Sequence, residues 1–309
     1  MIKLSFINVF TQVAVLFILI IVGYSIRKLG LLDENSTSKL SNLTISLFLP
    51  SMIIVSMQID YSSAMIHKIL VLLLVSVCSY AISILVAYLI KFIMKSDRNI
   101  GIYQYALIFS NVTFMGYPVV RAVLGEQGIF YTAIYNLPFN LLSFTLGVYL
   151  LSKGSKDFKF SPKELINPSL ISVFLGLLLF ITGLRLPTFV NNSLDLLGSV
   201  TTPISMLVIG SMLSTSSAKE CFMNKKLYIL CFIRLIFLPV IIYLAFMNRI
   251  EDSLIAAIPV VITSMPTAAN TAIMANQYDA DVTIASQCVF MTTLFSVITI
   301  PLVNLILLG

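Results

Sequence analysis

Charged residues are scarce in this chain, and tryptophan is absent. Only 10% of the 309 residues are charged, whereas 59% are hydrophobic, and the mean hydropathy is +1.02. Soluble domains carry about 25% charged residues, so this composition excludes a water-soluble fold. The apolar runs are continuous and about 20 residues long, as membrane helices require, while a membrane β-barrel would show alternation. The sequence therefore predicts an all-α polytopic membrane protein.

Residues that support catalysis or metal binding are equally few. The chain has one histidine and four cysteines without Cys-x-x-Cys spacing, and it contains neither His-Glu-x-x-His nor Gly-x-Ser-x-Gly. We expect no enzyme, no metal site and no cofactor. The net charge of +6 reports orientation in a membrane protein, so we expect no nucleic-acid partner.

Ten apolar segments are long enough to cross a bilayer. Their predicted ranges are 6–26, 38–57, 66–94, 100–124, 127–151, 165–183, 192–214, 226–247, 253–276 and 281–307. If the connections alternate between the two sides, one side collects Arg27, Lys28, Lys39, Lys91, Lys95, Arg98, Lys153, Lys156, Lys159, Lys163, Lys219, Lys225 and Lys226. The other side collects only Lys3, Lys68, Arg121, Arg185 and Arg249. The positive-inside rule then predicts a multi-pass protein of the cell membrane with both termini extracellular.

A polar stretch near the middle divides the chain into two halves of five segments each. We predict a first repeat at residues 1–151, a cytoplasmic linker at 152–164 and a second repeat at 165–309. Because five is odd, the second repeat enters the membrane with the opposite orientation. This arrangement predicts an inverted repeat, with its binding site near the middle of the bilayer.

Two polar stretches with a proline lie at matching places in the halves, in the fourth and ninth segments. Pro118 and Pro266 each lack an N–H group and collide with a carbonyl one turn earlier, so we expect both helices to break there. The restarted half-helices present free N–H groups that suit an anion, and the unwound carbonyls suit a cation. The predicted substrate-binding residues are Asn111, Thr113, Gly116, Pro118, Ser264, Pro266, Thr267 and Asn270, with Asn140 on the fifth segment and Arg234 on the eighth.

Arg234 is the only charged residue deep inside a predicted segment, and such a charge needs a partner. The sequence leaves three partners open: a substrate carboxylate, carbonyls at a helix end, or water at the cytoplasmic surface reached by snorkelling. The acidic residues lie at segment ends, and the single histidine, His67, falls in a predicted loop. A proton antiporter needs a titratable group in its pathway, so this mechanism is disfavoured.

The runs Phe109-Ser-Asn-Val-Thr-Phe-Met-Gly-Tyr-Pro118 and Met265-Pro-Thr-Ala-Ala-Asn270 resemble the auxin efflux carrier family, whose bacterial branch includes malate and malonate permeases. The resemblance covers essentially the whole chain. It maps the crossover asparagines of the family onto Asn111 and Asn270. The Asn-Pro-Asn-Thr-Tyr type of crossover found in plant carriers is not reproduced here, so auxin itself is not the expected substrate.

The resemblance implies a carrier of small organic anions. It also implies a scaffold of the predicted helices 1, 2, 6 and 7 and a transport domain of helices 3–5 and 8–10. It further implies a homodimer, and an elevator movement of the transport domain between states that open to opposite sides of the membrane. Two alternatives remain open: a sodium-coupled symporter that resembles bile acid carriers, with sodium held by break carbonyls and side chains such as Gln287, and a membrane receptor that binds without transport.

Overall fold

A computed structural model gives the fold and describes residues 6–59, 63–94, 98–152, 167–215 and 218–308. These residues form helices, and no strand occurs among them. In chain order we label them α1 (Phe6–Lys28), α2 (Glu34–Ser56), α3 (Ser63–Ile93), α4 (Ile100–Ile108), α5 (Val112–Leu124), α6 (Glu126–Leu151), α7 (Pro168–Thr182), α8 (Thr188–Leu213), α9 (Ala218–Met223), α10 (Lys225–Phe246), α11 (Ser253–Thr263), α12 (Thr271–Gln277) and α13 (Val282–Leu308). The predicted linker at 152–164 lies outside the described residues, apart from its first residue.

The prediction of an all-α membrane protein is confirmed for the described residues. Six of their helices are long and apolar enough to cross a bilayer, namely α2, α3, α6, α8, α10 and α13. Helices occupy each of the ten predicted segments, and the crossing of a bilayer by all ten stays a prediction. The prediction that His67 lies in a loop is wrong, because this exposed residue belongs to the start of α3.

Large apolar side chains cover the outside of several helices. Ile21 of α1, Leu74 of α3, Phe174 of α7, Leu244 of α10 and Ile298 of α13 are each 59 to 68% exposed. Water would make such a surface aggregate, whereas lipid tails solvate it at no cost. These faces therefore fit a hydrocarbon environment, whereas polar residues such as Ser76, Asn111 and Asn304 are buried between the helices.

Four of the described helices contain a widened π turn, and three of these turns precede a proline at the same distance. The turns Thr44–Phe48, Val112–Gly116 and Ile233–Phe237 each end two residues before Pro50, Pro118 or Pro239. A proline ring pushes away the carbonyl four residues earlier and offers no N–H. Widening the turn accommodates both defects without unwinding the helix.

The helices pack in two groups. In one group α1 lies along α8, and α2 packs against α7 and α8. In the other, α3 packs on α4 and α6, α10 packs on α11 and α13, and α12 lies beside α13. The two groups touch where α1 meets α5 and α13, and where α8 meets the π turn of α5. The interrupted helices α4/α5 and α11/α12 thus belong to the second group and face the first.

Candidate functional site

Two interruptions of helix meet inside the second group. The first break comprises residues 109–111, between α4 and α5, and the second break comprises residues 264–270, between α11 and α12. Ser110 and Thr267 form an antiparallel bridge. The N–H of Asn111 donates to the Pro266 carbonyl at 2.8 Å, and that of Ala268 donates to the Phe109 carbonyl at 2.9 Å. The breaks therefore satisfy each other's backbone groups, which a low-dielectric interior demands.

The second break lies at Pro266 as predicted, but the first does not lie at Pro118. The chain is helical from Val112 onward, first as a π turn and then as α-helix, and Pro118 occupies the second position of that α-helix. The break instead begins at Phe109, whose ψ of 110° is extended. The predicted position is wrong because the π turn accommodates Pro118 without unwinding the helix. The helix is interrupted at residues 109–111 instead, where the backbone pairs with the second break.

Asn111 begins the restarted half-helix and is 2% exposed. Its Oδ1 accepts the N–H of Phe114 at 3.3 Å, so the other end of the amide is a nitrogen. That Nδ2 atom is buried and has no hydrogen-bond partner. A buried amide donor without a partner is costly, so the site holds an unused donor beside the positive end of a helix.

The second break is fixed by α4 and α13. Thr267 donates its hydroxyl to the Ala106 carbonyl at 3.0 Å, and its N–H donates to Oγ1 of Thr292 at 3.1 Å. Ser264 is fully buried and accepts from Nδ2 of Asn304 at 3.4 Å. Two predicted residues, Ser264 and Thr267, therefore hold the break in place through their own hydrogen bonds.

The remaining predicted residues have different surroundings. Pro118 and Gly116 are buried in α5, while Thr113 is partly exposed. Asn270 is partly exposed at the start of α12, and its side chain does not cap that helix. Asn140 is not brought into this cluster by any hydrogen bond, because its Oδ1 accepts from Asn167 at the start of α7 at 3.0 Å.

Arg234 is fully buried beside the first break. Its NH1 donates to the Leu107 carbonyl at 3.0 Å, and its NH2 donates to the hydroxyl of Ser110. Of the partners that the sequence leaves open, the structure thus provides a carbonyl at a helix end, and it adds a side-chain hydroxyl. Snorkelling to the surface is wrong for this residue.

A groove of about 530 Å³ leads to the second break from one end of the helices. Arg27, Glu34 and Thr215 line its mouth, and Ala269 of the second break lines its inner part. Its walls come from both packing groups: α1, α2 and α8 on one side, and α12 and α13 on the other. The groove therefore reaches the second break at Ala269, and the residues of the first break do not line it.

A second cavity of about 590 Å³ lies away from both breaks, where α4 and α13 begin and α6 ends. Its polar lining includes Asn99, whose amide donates to Asp281 at 3.3 Å. The described residues contain no group of three His, Cys, Asp or Glu side chains close enough to hold a metal ion.

Sequence reasoning missed Ser110, Thr292 and Asn304 as partners of the breaks. Ser110 immediately precedes Asn111, so its position inside the polar stretch was a usable signal. Thr292 and Asn304 lie on α13, and their roles depend on contacts 25 and 40 residues apart. Local spacing carries no information about such pairs.

Comparison with known proteins gives relatives along nearly the whole chain. A family model described as membrane transport protein matches residues 8–163 and 157–304. An uncharacterized transporter of Methanocaldococcus jannaschii is 30% identical, covering 96% of this chain and 98% of the relative. One from Methanothermobacter thermautotrophicus is 26% identical over 94% and 95%. A Rhizobium meliloti protein with the provisional name malonate transporter is 23% identical over 63% of each chain.

Proposed function

Because the chain belongs to the membrane transport protein family, we propose that it moves a small organic carboxylate anion across the cell membrane by alternating access. The observation that carries the proposal is the unpartnered Nδ2 of Asn111, which lies at the positive end of a half-helix where two breaks meet. Amide donors at helix N-termini bind carboxylates readily. The provisional name of the Rhizobium relative supports the same substrate class.

The groove supports the direction of access. Its mouth lies at the end of α1 and the start of α2, which the predicted orientation places in the cytoplasm. On this assignment the second break lies next to a groove that opens on the cytoplasmic side. Arg27 at the mouth attracts anions, and Ala269 marks the inner end, next to the partly exposed Asn270.

The packing of the helices supports a division into two bodies, a scaffold and a transport domain. We assign α1, α2, α7 and α8 to the scaffold, and α3 to α6 together with α10 to α13 to the transport domain, in two inverted five-helix repeats. The helices of each body pack mainly with one another, and the groove runs between the bodies. Sliding the transport domain past the scaffold, as an elevator, would expose the breaks to the other side. Exposed apolar residues of the scaffold leave room for a homodimer in the bilayer.

Uptake of labelled malonate into proteoliposomes tests the proposal, with Asn111→Asp as the main variant. Aspartate keeps an oxygen for the Phe114 N–H but replaces the free donor with a negative oxygen, so uptake should fall at least tenfold in a folded protein. Asn192→Asp is the control for the added negative charge, because Asn192 is exposed on α8, away from the breaks. Asn270→Ala should lower uptake several-fold.

Wild-type protein that transports neither malonate nor any other carboxylate in a panel would refute the substrate class. Unchanged uptake by both Asn111→Asp and Asn270→Ala would refute the site. Binding of a carboxylate in sealed vesicles without flux would instead favour a receptor.

A sodium-coupled mode is the second candidate, and Asn304 favours it. Its Oδ1 is buried without a partner, beside Ser264 of the second break. An unused acceptor suits a cation. The break carbonyls of Phe109 and Pro266 already accept backbone N–H groups, and Gln287 accepts from Asn224 at 3.4 Å. Replacing external sodium with choline decides this point, since a coupled carrier would lose concentrative uptake and an uncoupled one would not.

A further inference from the structure

Arg234 holds a full positive charge in the interior, and no carboxylate of the described residues balances it. The side chain is fully buried, and the ion pairs of the described residues involve other groups, Lys68 with Asp252 and Arg121 with Glu126. Its Nε atom has no hydrogen-bond partner. A buried charge of this kind is expensive, and in membrane proteins it marks a functional site.

The two bonds that Arg234 does make fasten the first break. The Leu107 carbonyl belongs to the last turn of α4, where the interruption leaves carbonyls without helical partners. The Ser110 hydroxyl belongs to the break itself, one residue before Asn111. The guanidinium therefore links the end of α4 to the residue that precedes Asn111 at the start of α5. Its planar fork suits this task, because two donors reach two acceptors at once.

The charge is only partly compensated by these partners. A helix C-terminus carries about half a negative charge, so the guanidinium and the end of α4 together remain positive. The N-terminus of α5 adds further positive potential at Asn111. The field at the paired breaks is therefore positive before any solute arrives. A carboxylate would supply the missing negative charge without touching Arg234.

We propose that Arg234 is a positioning residue that holds the first break in shape and supplies the electrostatic preference for anions, with its donors bound to the protein rather than to the substrate. This inference rests on the proposed function. The two parts of this role can be measured separately. The electrostatic part appears as a preference for the more highly charged ligand, and the positioning part appears as the stability of the protein without ligand.

Malonate and its monoamide, malonamate, form the test pair, since they have similar size and carry two charges and one charge at neutral pH. Binding to purified full-length protein is measured by calorimetry for wild type, Arg234→Gln and Arg234→Lys. We expect Arg234→Gln to weaken the binding of malonate at least tenfold and that of malonamate about threefold. Arg234→Lys keeps the charge but not the planar fork, so it should weaken both ligands by the same factor and keep the wild-type ratio of their affinities. Equal weakening of both ligands by Arg234→Gln, or a changed ratio in a folded Arg234→Lys, would overturn the electrostatic role.

The positioning role is tested by the thermal stability of the protein without ligand. Arg234→Gln should lower the apparent Tm by several degrees, and Ser110→Ala should lower it less. In the binding experiment, Ser110→Ala should keep the wild-type ratio of malonate to malonamate affinity. Arg249→Gln is the matched control, because Arg249 donates to carbonyls at the exposed end of α10. An unchanged Tm in both Arg234→Gln and Ser110→Ala would refute positioning. If the wild-type protein binds neither ligand, this result counts against the proposed function and not against the positioning role, because the Tm values are measured without ligand.

Discussion

The hydroxyl oxygen of Thr292 accepts the backbone N–H of Thr267 at 3.1 Å, so α13 fixes the residue that follows Pro266. The neighbouring Thr293 is buried too, yet its hydroxyl has no partner among the described residues. The two adjacent threonines thus differ in their hydroxyls: that of Thr292 accepts from the second break and donates to the Cys288 and Val289 carbonyls, whereas that of Thr293 has no partner. Comparing them measures what the hydrogen bonds of Thr292 contribute.

Replacing Thr292 with valine should lower the free energy of unfolding by about 1 to 3 kcal/mol, because the N–H of Thr267 is left buried without an acceptor. Replacing Thr293 with valine should be neutral or slightly stabilising, since its hydroxyl loses no bond. Thermal unfolding in detergent measures both. Equal shifts for the two variants would contradict the assignment of Thr292 to the break.

Gly210 allows α8 to lie directly on α1. A Cβ added there would overlap the Ile20 carbonyl oxygen, and one added at Gly23 would overlap the Leu207 carbonyl. Because these obstacles are backbone atoms, Gly210→Ala should destabilise the protein by about 1 to 3 kcal/mol or prevent its folding. At Gly116 a Cβ would meet side-chain ends first, the Ile262 Cδ1 at 3.2 Å and the Val112 Cγ1 at 3.3 Å, and the Asn111 carbonyl oxygen only at 3.4 Å, so Gly116→Ala is the better tolerated control. Comparing expression and Tm checks both expectations.

Asp252 pairs with Lys68 at 2.5 Å and caps α11 through the N–H groups of Leu254 and Ile255. Partial burial opposes the charge on Asp252, but the Lys68 ammonium and the backbone donors outweigh burial and hold its pKa below the usual value. A depressed carboxylate pKa stabilises the fold above the unfolded pKa, near 4, and this stability is lost as the pH falls through the folded value.

Asp252→Asn should therefore lower Tm at pH 7 by an amount that corresponds to about 1 kcal/mol, and the difference from wild type should shrink as the pH falls below about 4. Asp33→Asn serves as the control, since Asp33 caps α2 through Ser36 without an ion pair in the described residues. A Tm difference that persists unchanged at pH 3 would argue against the ion pair.

Ala272 lines the groove between the two packing groups. A tryptophan there should fill much of the 530 Å³ and reduce carboxylate uptake at least tenfold while leaving the protein folded. Ile298→Trp is the matched control, because Ile298 is 68% exposed on the outer face of α13. Retained uptake in a folded Ala272→Trp would remove the groove from the transport route.

The fold followed from the sequence where one-dimensional information suffices. Apolar run length predicted where the helices lie, and the segment from Ser264 to Asn270 broke as its proline and polar residues suggested. The expectation that a proline interrupts its helix failed at Pro118. In three helices a π turn that ends two residues before the proline accommodates it, and the helix does not unwind. Local chemistry predicts that a helix is disturbed, but not how it adapts.

The sequence singled out some residues of the candidate site for a related reason. Asn111 lies in a polar stretch with a proline, and Arg234 is the only charged residue deep inside a predicted segment; their roles in binding stay predictions. Their partners could not be read off the sequence: Arg234 reaches Ser110 across 124 residues, and Asn304 reaches Ser264 across 40. Such pairs depend on how separate helices pack against each other, which residue spacing within one helix does not encode.

The isolated guanidinium of Arg234 has an electrical consequence. If the transport domain carries this side chain through part of the bilayer, the vacant carrier moves one positive charge, and the carrier loaded with a monoanion moves none. Each elementary charge crossing 100 mV exchanges about 2.3 kcal/mol with the membrane potential. An interior-negative cell would thus pull the vacant protein inward, and voltage as well as solute gradient would decide which way the groove faces at rest.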